Sequence, residues 1–248
     1  VQTVPPFCTN FCATSERISK TYKSILALRN DPAMPEPIAP RRRLKREDRD
    51  REIAQAAVAF FAEVGFDGDT RELARRMGVT QSLIFRYFPS KAALIERVYQ
   101  EVYVGRWNSY WETIIADRSM PLQTRLLRFY KDYARVALTY DWVRIFMFSG
   151  LRGENINNRY LEFLRSRVLE PIAKELRVEL GLPGFEEAPL TEEEVELTWA
   201  INARVFYLGQ RLWIFNAPLT LDIDQIIDQT ITSYLAGAKL TIPDLIKA

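Results

Sequence analysis

Histidine is absent from this 248-residue chain, and its absence removes the commonest hydrolytic and zinc sites. Ser-His-Asp and Cys-His nucleophilic sites need an imidazole base, and His-ligated zinc sites need the same side chain. Cys8 and Cys12 are the only cysteines, and this spacing without histidine is a poor metal site and weak evidence for a disulfide. No glycine-rich dinucleotide or phosphate-loop motif occurs. The sequence therefore predicts a protein that is not an enzyme and that holds no metal or cofactor.

Long apolar runs and a secretory leader are also lacking. No stretch approaches the roughly 20 apolar residues that cross a bilayer. The N-terminus has no charged start followed by a continuous apolar core. Hydrophobic residues make up 48% of the chain and charged residues 27%, as in an ordinary soluble globular protein. The sequence predicts a cytoplasmic protein with no membrane partner.

Basic charge is concentrated in one short segment. Residues 41–97 carry thirteen basic and nine acidic side chains, a net charge of +4, whereas residues 98–248 have a net charge of −3. Such a segment is expected where a protein meets a polyanion. Within it, "RRRLKR" (41–46) is either a flexible arm that follows DNA or a solvated charged tail.

Residues 1–40 are predicted to be separate from the compact protein. They mix Pro, Thr, Ser and isolated aromatics, and "NDPAMPEPIAP" (30–40) is a proline-rich linker that cannot propagate a helix. Two interpretations remain for this segment: a disordered leader, or an over-extended start with natural initiation at Met34. The mass of the native N-terminus distinguishes them.

From residue 47 onward the periodicity predicts an all-α protein. "REDRDREIAQAAVAFFAEVGF" places its apolar residues at helical spacing. Two shorter helices follow, joined by the turn "RRMGVT", which together make a helix-turn-helix unit. We expect residues 41–95 to form this helix-turn-helix domain and residues 96–248 to form a larger helical domain.

The ends of the short helices are marked by capping residues. Asp69 caps the second helix, where Glu72 would complete a capping box. Gly78 turns the chain, and Thr80 caps the third helix. Pro89 ends that helix because a proline cannot continue it.

The third helix has two different sides. Ile84 and Phe88 lie one turn apart and point to the core. Ser82 and Arg86, also four residues apart, point nearly opposite. In a DNA major groove, arginine can donate to guanine acceptors and serine can serve several base edges. Gln81 lies near the helix N-terminus, the part of such helices that contacts base edges.

Phosphate contacts would fix this reading helix in register. Helix N-termini present unsatisfied N–H groups that favour anions, and hydroxyl and ammonium side chains add further donors. The predicted DNA-binding residues are Arg51, Thr70, Thr80, Gln81, Ser82, Leu83, Phe85, Arg86, Tyr87 and Lys91.

Residues 51–94 resemble the DNA-binding domain of the TetR family of transcriptional repressors. The segments that carry the resemblance are "REIAQAAVAFFAEVGF", "ELARRMGVT" and "SLIFRYFPSKAAL". Phe85 departs from the family pattern, which usually has a tyrosine there. The resemblance implies a ligand-responsive, dimeric DNA-binding regulator, more specifically a repressor released from double-stranded operator DNA by a small-molecule effector. The alternative is an all-helical small-molecule-binding protein without DNA binding.

The second half of the chain contains residues that predict where its helices begin and bend. Thr191 and Glu194 form a predicted capping box, and Pro171 is expected to bend a long helix. Helices are predicted at about 121–140, 141–148, 157–180, 191–216 and 222–238.

The last predicted helix carries one continuous apolar stripe, and the helix before it is apolar on more than one side. A helix with two apolar faces must bury both, one in its own domain and the other against a second chain. The resemblance implies that these helices form a four-helix bundle in a homodimer. The predicted dimer-interface residues are Leu208, Leu212, Ile227, Ile231 and Tyr234.

The resemblance also implies an effector cavity among the remaining helices. Arg144 is a candidate anchor for an anionic group, although aromatic residues at helical spacing equally suit plain core packing. The predicted ligand-binding residues are Trp107, Trp111, Phe129, Tyr133, Arg144, Phe146 and Asn202.

Overall fold

A computed structural model describes residues 45–153 and 155–246. The predictions made for residues 1–40, and most of the basic run at 41–46, lie outside these residues. Within the described ranges every regular element is helical, which confirms the predicted all-α fold. No helix in these ranges is long and apolar enough to cross a membrane.

The helices are numbered here in chain order. Two short π-helical segments, at Gln100–Val104 and at Arg165–Leu169, interrupt the regular pattern. The helices are α1 (Arg46–Val64), α2 (Thr70–Met77), α3 (Gln81–Tyr87), α4 (Lys91–Tyr99), α5 (Tyr110–Ala116), α6 (Leu122–Ala137), α7 (Tyr140–Arg152), α8 (Ile156–Leu164), α9 (Glu170–Glu179), α10 (Glu192–Trp213) and α11 (Ile223–Leu245).

The long predicted helix at 157–180 is one nearly continuous run from α8 to α9. Its π-helical segment lies immediately before Glu170 and Pro171. A proline has no N–H to donate to the carbonyl four residues back, and its ring crowds that carbonyl. A wider turn at this point relieves the conflict. The wider turn therefore lies immediately before Pro171, the residue at which the sequence predicts a bend.

The last two helices begin where their capping residues predict. Thr191 and Glu194 form the reciprocal capping box at the start of α10, and the Asp222 carboxylate accepts from Asp224 N at the start of α11. The predicted end of α11 near Ala238 is wrong, because the helix continues past Pro243 to Leu245.

The predicted DNA-binding segment packs on the C-terminal helices through α1 and α7. The backbone of Gly65, just after α1, lies against the Phe148 ring, where an added Cβ would sit 3.0 Å from the nearest ring carbon. Arg106, after α4, pairs with Asp141 at the start of α7. Because contacts cross residue 95, the predicted division between a helix-turn-helix domain (41–95) and a larger helical domain (96–248) stays a prediction.

Candidate nucleic-acid interface

The start of α2 is fixed by a carboxylate cap. Asp69 Oδ1 accepts a hydrogen bond from Arg71 N at 2.8 Å, as predicted. Glu72 does not complete the expected capping box but binds Arg75 at 2.7 Å and Arg76 at 3.0 Å. These hydrogen bonds, from Arg75 first and Arg76 second, lower the pKa of Glu72 to about 2. The helix therefore carries an internally neutralised charge cluster on this side.

The turn between α2 and α3 depends on Gly78. This residue has φ of 61° and ψ of 38°, and its N–H donates to the carbonyls of Ala74 and Arg75. The left-handed conformation strains any residue with a Cβ. Thr80 then caps α3, its Oγ1 accepting from Leu83 N at 3.3 Å. The two caps and the glycine together fix the angle at which α3 leaves α2.

α3 has the two faces that the sequence predicts. Ile84 and Phe88 are buried in the core. Ser82 and Arg86 are exposed on the opposite side, and Phe85 is half-buried between them. The helix is short, and its inner face is held by packing, so its outer side chains project from a rigid base.

Four of the predicted contact residues form two hydrogen-bonded pairs. Gln81 Nε2 donates to Thr70 Oγ1 at 2.8 Å, and the Thr80 and Ser82 hydroxyls lie 3.0 Å apart. Thr70 is buried, so its hydroxyl orients Gln81 instead of facing solvent. Such internal bonds reduce the rotamer freedom that contact residues lose on binding.

Most arginines around α3 are neutralised by carboxylates, but Arg86 is not. Arg76 pairs with Glu63 at 2.8 Å, and Arg97 pairs with Asp50 at 3.2 Å. The Arg86 guanidinium has no hydrogen-bond or ion-pair partner among residues 45–153 and 155–246. An exposed, unpaired arginine on this face is available for an external acceptor.

Arg71 is a candidate that the sequence analysis missed. It lies in the first turn of α2, is exposed, and has no side-chain partner in the part of the chain that the structure describes. A guanidinium beside a helix N-terminus suits a phosphate. The signal was available in the sequence, where Arg71 follows the Asp69 cap by two positions. Arg51 is also exposed and lies 3.9 Å from Asp48.

Lys91 occupies a more structural position than predicted. Its Nζ donates to the carbonyl of Gly68 at 2.8 Å and so ties the start of α4 to the α1–α2 loop. The three donors of an ammonium leave room for a further acceptor. Tyr87 and Leu83, the last two predicted contact residues, are half-buried.

The aromatic residues predicted to line an effector cavity pack closely against one another. Trp111 is buried, and its ring lies 5.0 Å from that of Trp107 and 5.6 Å from that of Tyr133. Phe129 stacks on Tyr133 at 5.5 Å. These geometries are typical of a packed aromatic core.

The other three predicted ligand residues have different surroundings. Phe146 stacks on Trp142 at 5.2 Å. Asn202 is buried, and its Oδ1 has no hydrogen-bond partner in the described part of the chain. Arg144 donates from Nε to the carbonyl of Ala62 and from Nη1 to that of Trp213. Its guanidinium therefore holds helix ends together, and an effector would have to compete with those carbonyls.

The residues predicted for the dimer interface divide into two groups. Leu208, Ile227 and Ile231 are buried within the single chain, so they form its core and leave no surface for a second chain to cover. Leu212 and Tyr234 are half-buried, and the Tyr234 hydroxyl lies 3.3 Å from Thr198 Oγ1.

Metal-ligand geometry is not found in the described ranges. No group of three or more Cys, Asp or Glu side chains lies close enough there to hold an ion. The candidate interface therefore offers charged groups and hydrogen-bonding groups on the surface of α2 and α3.

A family model described as bacterial regulatory proteins, tetR family, matches residues 53–98. These residues run from the interior of α1 into α4 and include the whole of α2 and α3. The matched region thus contains most of the candidate interface.

Two curated relatives are tetracycline repressor proteins. The class D protein of Escherichia coli is 30% identical over 105 residues, which cover 39% of this chain and 45% of that protein. The class H protein of Photobacterium damsela subsp. piscicida matches to the same extent. The chain thus spans about half the length of the curated relatives that it matches.

Solved structures extend the similarity over most of the fold. A TetR-like transcriptional regulator from Rhodococcus superposes with a TM-score of 0.59 at 16% identity, covering 80% of this chain and 98% of that one. A tetR-family regulator from Streptomyces coelicolor gives a TM-score of 0.55 at 14% identity, covering 82% and 87%. At such identities the likeness shows the fold alone. Residues 53–98 match the tetR family of bacterial regulatory proteins, and the described part of the chain shares the fold of a TetR-like regulator.

Proposed function

We propose that this chain is a DNA-binding transcriptional regulator, and more specifically a repressor, that acts as a homodimer on double-stranded operator DNA in the cytoplasm. A small molecule bound by the C-terminal helices would release it. The effector does so by binding one separation of the two reading helices more tightly than another, because a ligand shifts an equilibrium only through its differential affinity. No catalytic step is part of this function.

The observation that carries the proposal is the contrast between the two sides of α3. Ile84 and Phe88 fix the helix from within. Ser82 and Arg86 face outward, and Arg86 lacks an internal counter-charge in the described residues. A bidentate arginine on guanine is the commonest specific major-groove contact.

Neighbouring groups supply contacts that do not depend on sequence. Arg71 lies at the N-terminus of α2 and Thr80 at that of α3, where backbone N–H groups favour a phosphate. Arg51 and Lys91 add positive charge on either side. Phosphate contacts of this kind set register and orientation, and they make affinity depend on salt.

Dimerisation is assigned to the outer face of α10. Ala200, Ala203 and Tyr207 are exposed there at helical spacing, and 51% of the Tyr207 side-chain surface is accessible. Tyrosine is enriched in protein–protein interfaces, so Tyr207 is the anchor of this face. Tyr207→Glu should therefore give a monomer in sedimentation experiments, whereas a dimeric variant would place the interface elsewhere.

Selection from a pool of random DNA duplexes tests the proposal. Purified protein at low ionic strength should enrich duplexes with two inverted half-sites, their centres roughly 34 Å apart or a multiple of that distance. Enrichment of single half-sites would refute the dimeric mode of binding. No enrichment of any sequence would refute the function itself.

A further inference from the structure

An open groove lies away from the candidate DNA-binding surface, between α5, the π-helical segment Arg165–Leu169, α9 and the loop that carries Phe185. Its volume is about 760 Å³, within the range of small-molecule sites. None of the residues predicted to bind an effector lines it. We call it the α5–α9 groove.

One part of the α5–α9 groove is apolar. Ile115 and Ala116 contribute from the end of α5, and Pro171 from the start of α9. Phe185 is half-buried on the opposite loop, and the guanidinium carbon of Arg177 lies 4.7 Å from the centre of its ring. This surface suits an aromatic or aliphatic body.

The lining side chains carry three positive charges, at Arg118, Arg167 and Lys174, and three negative charges, at Glu112, Glu170 and Glu175. Glu112 pairs with Arg167 at 2.9 Å, and Glu170 pairs at 3.0 Å with Arg165, which also binds Glu192 at 2.7 Å. Glu175 is buried and is shared by two arginines. Lys174 is exposed on the same wall and has no carboxylate partner among the residues that the structure describes.

Glu175 accepts from Arg118 at 2.9 Å and from Arg125 at 2.8 Å. Burial alone would raise the pKa of Glu175, but the hydrogen bonds from Arg118 and Arg125 hold it below its usual range, so the carboxylate stays charged at neutral pH. Two guanidiniums on one carboxylate leave a net positive charge. Arg125 is 3% exposed, and its Nε has no hydrogen-bond partner in the described ranges. The buried wall therefore adds to the charge of Lys174.

A bonded connection runs from the groove towards the DNA-binding helices. Besides binding Arg167, Glu112 accepts from Trp107 Nε1 at 3.4 Å. Trp107 follows α4 and its π-helical segment, and α4 begins four residues after the end of α3. A ligand that contacts Ile115 and shifts α5, the helix that also carries Glu112, would act on Trp107 through this bond and so on the segment that follows α4.

We propose that the α5–α9 groove binds a small organic anion with an aromatic or aliphatic body, and that this occupancy weakens DNA binding. The anion contacts Lys174 and the guanidinium of Arg118, while its body covers Phe185 and Ile115. The second part of this statement rests on the proposed function, because it takes the anion to be the effector.

Phenylbutyrate and phenylbutylamine are a matched anion and cation for the binding test. Phenylbutyrate should displace anilinonaphthalene sulfonate, a fluorescent aromatic anion, from the full chain, whereas phenylbutylamine should not. Lys174→Glu should weaken phenylbutyrate binding about tenfold, as expected for loss of a charge-assisted contact. Lys239→Glu, an exposed site on α11, is the charge-matched control and should bind as wild type does. Equal displacement by the amine, or equal affinity in Lys174→Glu and Lys239→Glu, would overturn the site.

A second measurement separates the site from the function. Phenylbutyrate at saturating concentration should lower the affinity of the wild-type protein for its selected duplex and should have a much smaller effect on Lys174→Glu. Unchanged DNA affinity with an occupied groove would overturn the coupling. If the protein binds phenylbutyrate at this groove but binds no DNA, the proposed function fails while the anion site stands.

Discussion

Arg144→Ala removes a guanidinium that joins the ends of two helices. Nε and Nη2 of Arg144 donate to the carbonyls of Ala62 and Glu63, in the last turn of α1. Nη1 donates to the carbonyl of Trp213, at the end of α10, at 3.3 Å. The last four carbonyls of a helix have no partner within it. This one side chain therefore ties the DNA-binding part to the helix assigned to dimerisation.

The size of the effect follows from these contacts. A hydrogen bond to a charged group contributes about 1.5–3 kcal/mol; two of the three bonds are partly buried and one is exposed. The rings of Tyr140 and Phe148 lie 5.2 and 5.0 Å from the guanidinium carbon, and each adds about 0.5–1 kcal/mol. Because water replaces part of this bonding in the variant, we expect a loss of about 3 kcal/mol, or roughly 6–12 °C in Tm.

Urea and thermal unfolding measure this loss directly. Arg144→Lys keeps the charge but cannot span both helix ends, so it should recover less than half of the lost stability. Arg128→Ala, an exposed arginine on α6 without a carboxylate partner in the described residues, is the control and should stay within about 0.5 kcal/mol of wild type. An Arg144→Ala variant as stable as Arg128→Ala would refute the tether.

Three further predictions concern the turn, the DNA contact and the core. Gly78→Ala should cost about 1–2 kcal/mol, because φ of 61° places a Cβ in the left-handed region; an unchanged urea midpoint would contradict this. Lys91→Ala should reduce the slope of log affinity against log salt by about 1 and weaken all duplexes alike; an unchanged slope would show that Lys91 does not contact a phosphate. Burial raises the pKa of Glu194, but the hydrogen bonds from Arg177 and from the Thr191 backbone outweigh it and lower the pKa. Its stabilisation is therefore present above about pH 4.5 and lost as the pH falls through the depressed folded-state pKa. Glu194→Gln should be about 3–5 kcal/mol less stable at neutral pH and should show a weaker loss at acid pH in urea titrations; a wild-type pH profile would contradict the assignment.

The helix starts of the DNA-binding segment could be predicted because they depend on neighbouring residues. Asp69 and Thr80 each accept a hydrogen bond from a backbone N–H two or three positions ahead. Such a contact needs only a few residues of sequence to specify it. The same holds for the outward direction of Ser82 and Arg86, which follows from helical spacing once Ile84 is inside.

Contacts between distant residues could not be predicted in this way. Arg144 and Ala62 are 82 positions apart, and an arginine flanked by aromatics has the same local sequence whether it holds a ligand or a helix end. The two-sided apolar pattern of α10 predicts that both sides are covered, but spacing does not say which face meets its own chain. For that reason Leu208 was assigned to the dimer and is found in the core.

The α5–α9 groove could not be predicted from the sequence for a related reason. Its charges come from three separate elements, at Arg118, Arg167 and Lys174, and no short motif joins them. Aromatic residues drew attention to the core instead, where they pack on one another. Only the folded chain shows which cations lack a counter-charge.

The most direct test of the central claim compares base preferences of wild type and Arg86→Ala on the selected half-site. Each base pair is changed in turn, and affinity is measured at one fixed salt concentration, with Arg128→Ala as control. If Arg86 reads a base, the variant loses about 1–3 kcal/mol of preference at one position and keeps the rest of the profile. A base-preference profile identical to that of wild type would show that α3 does not read DNA through Arg86.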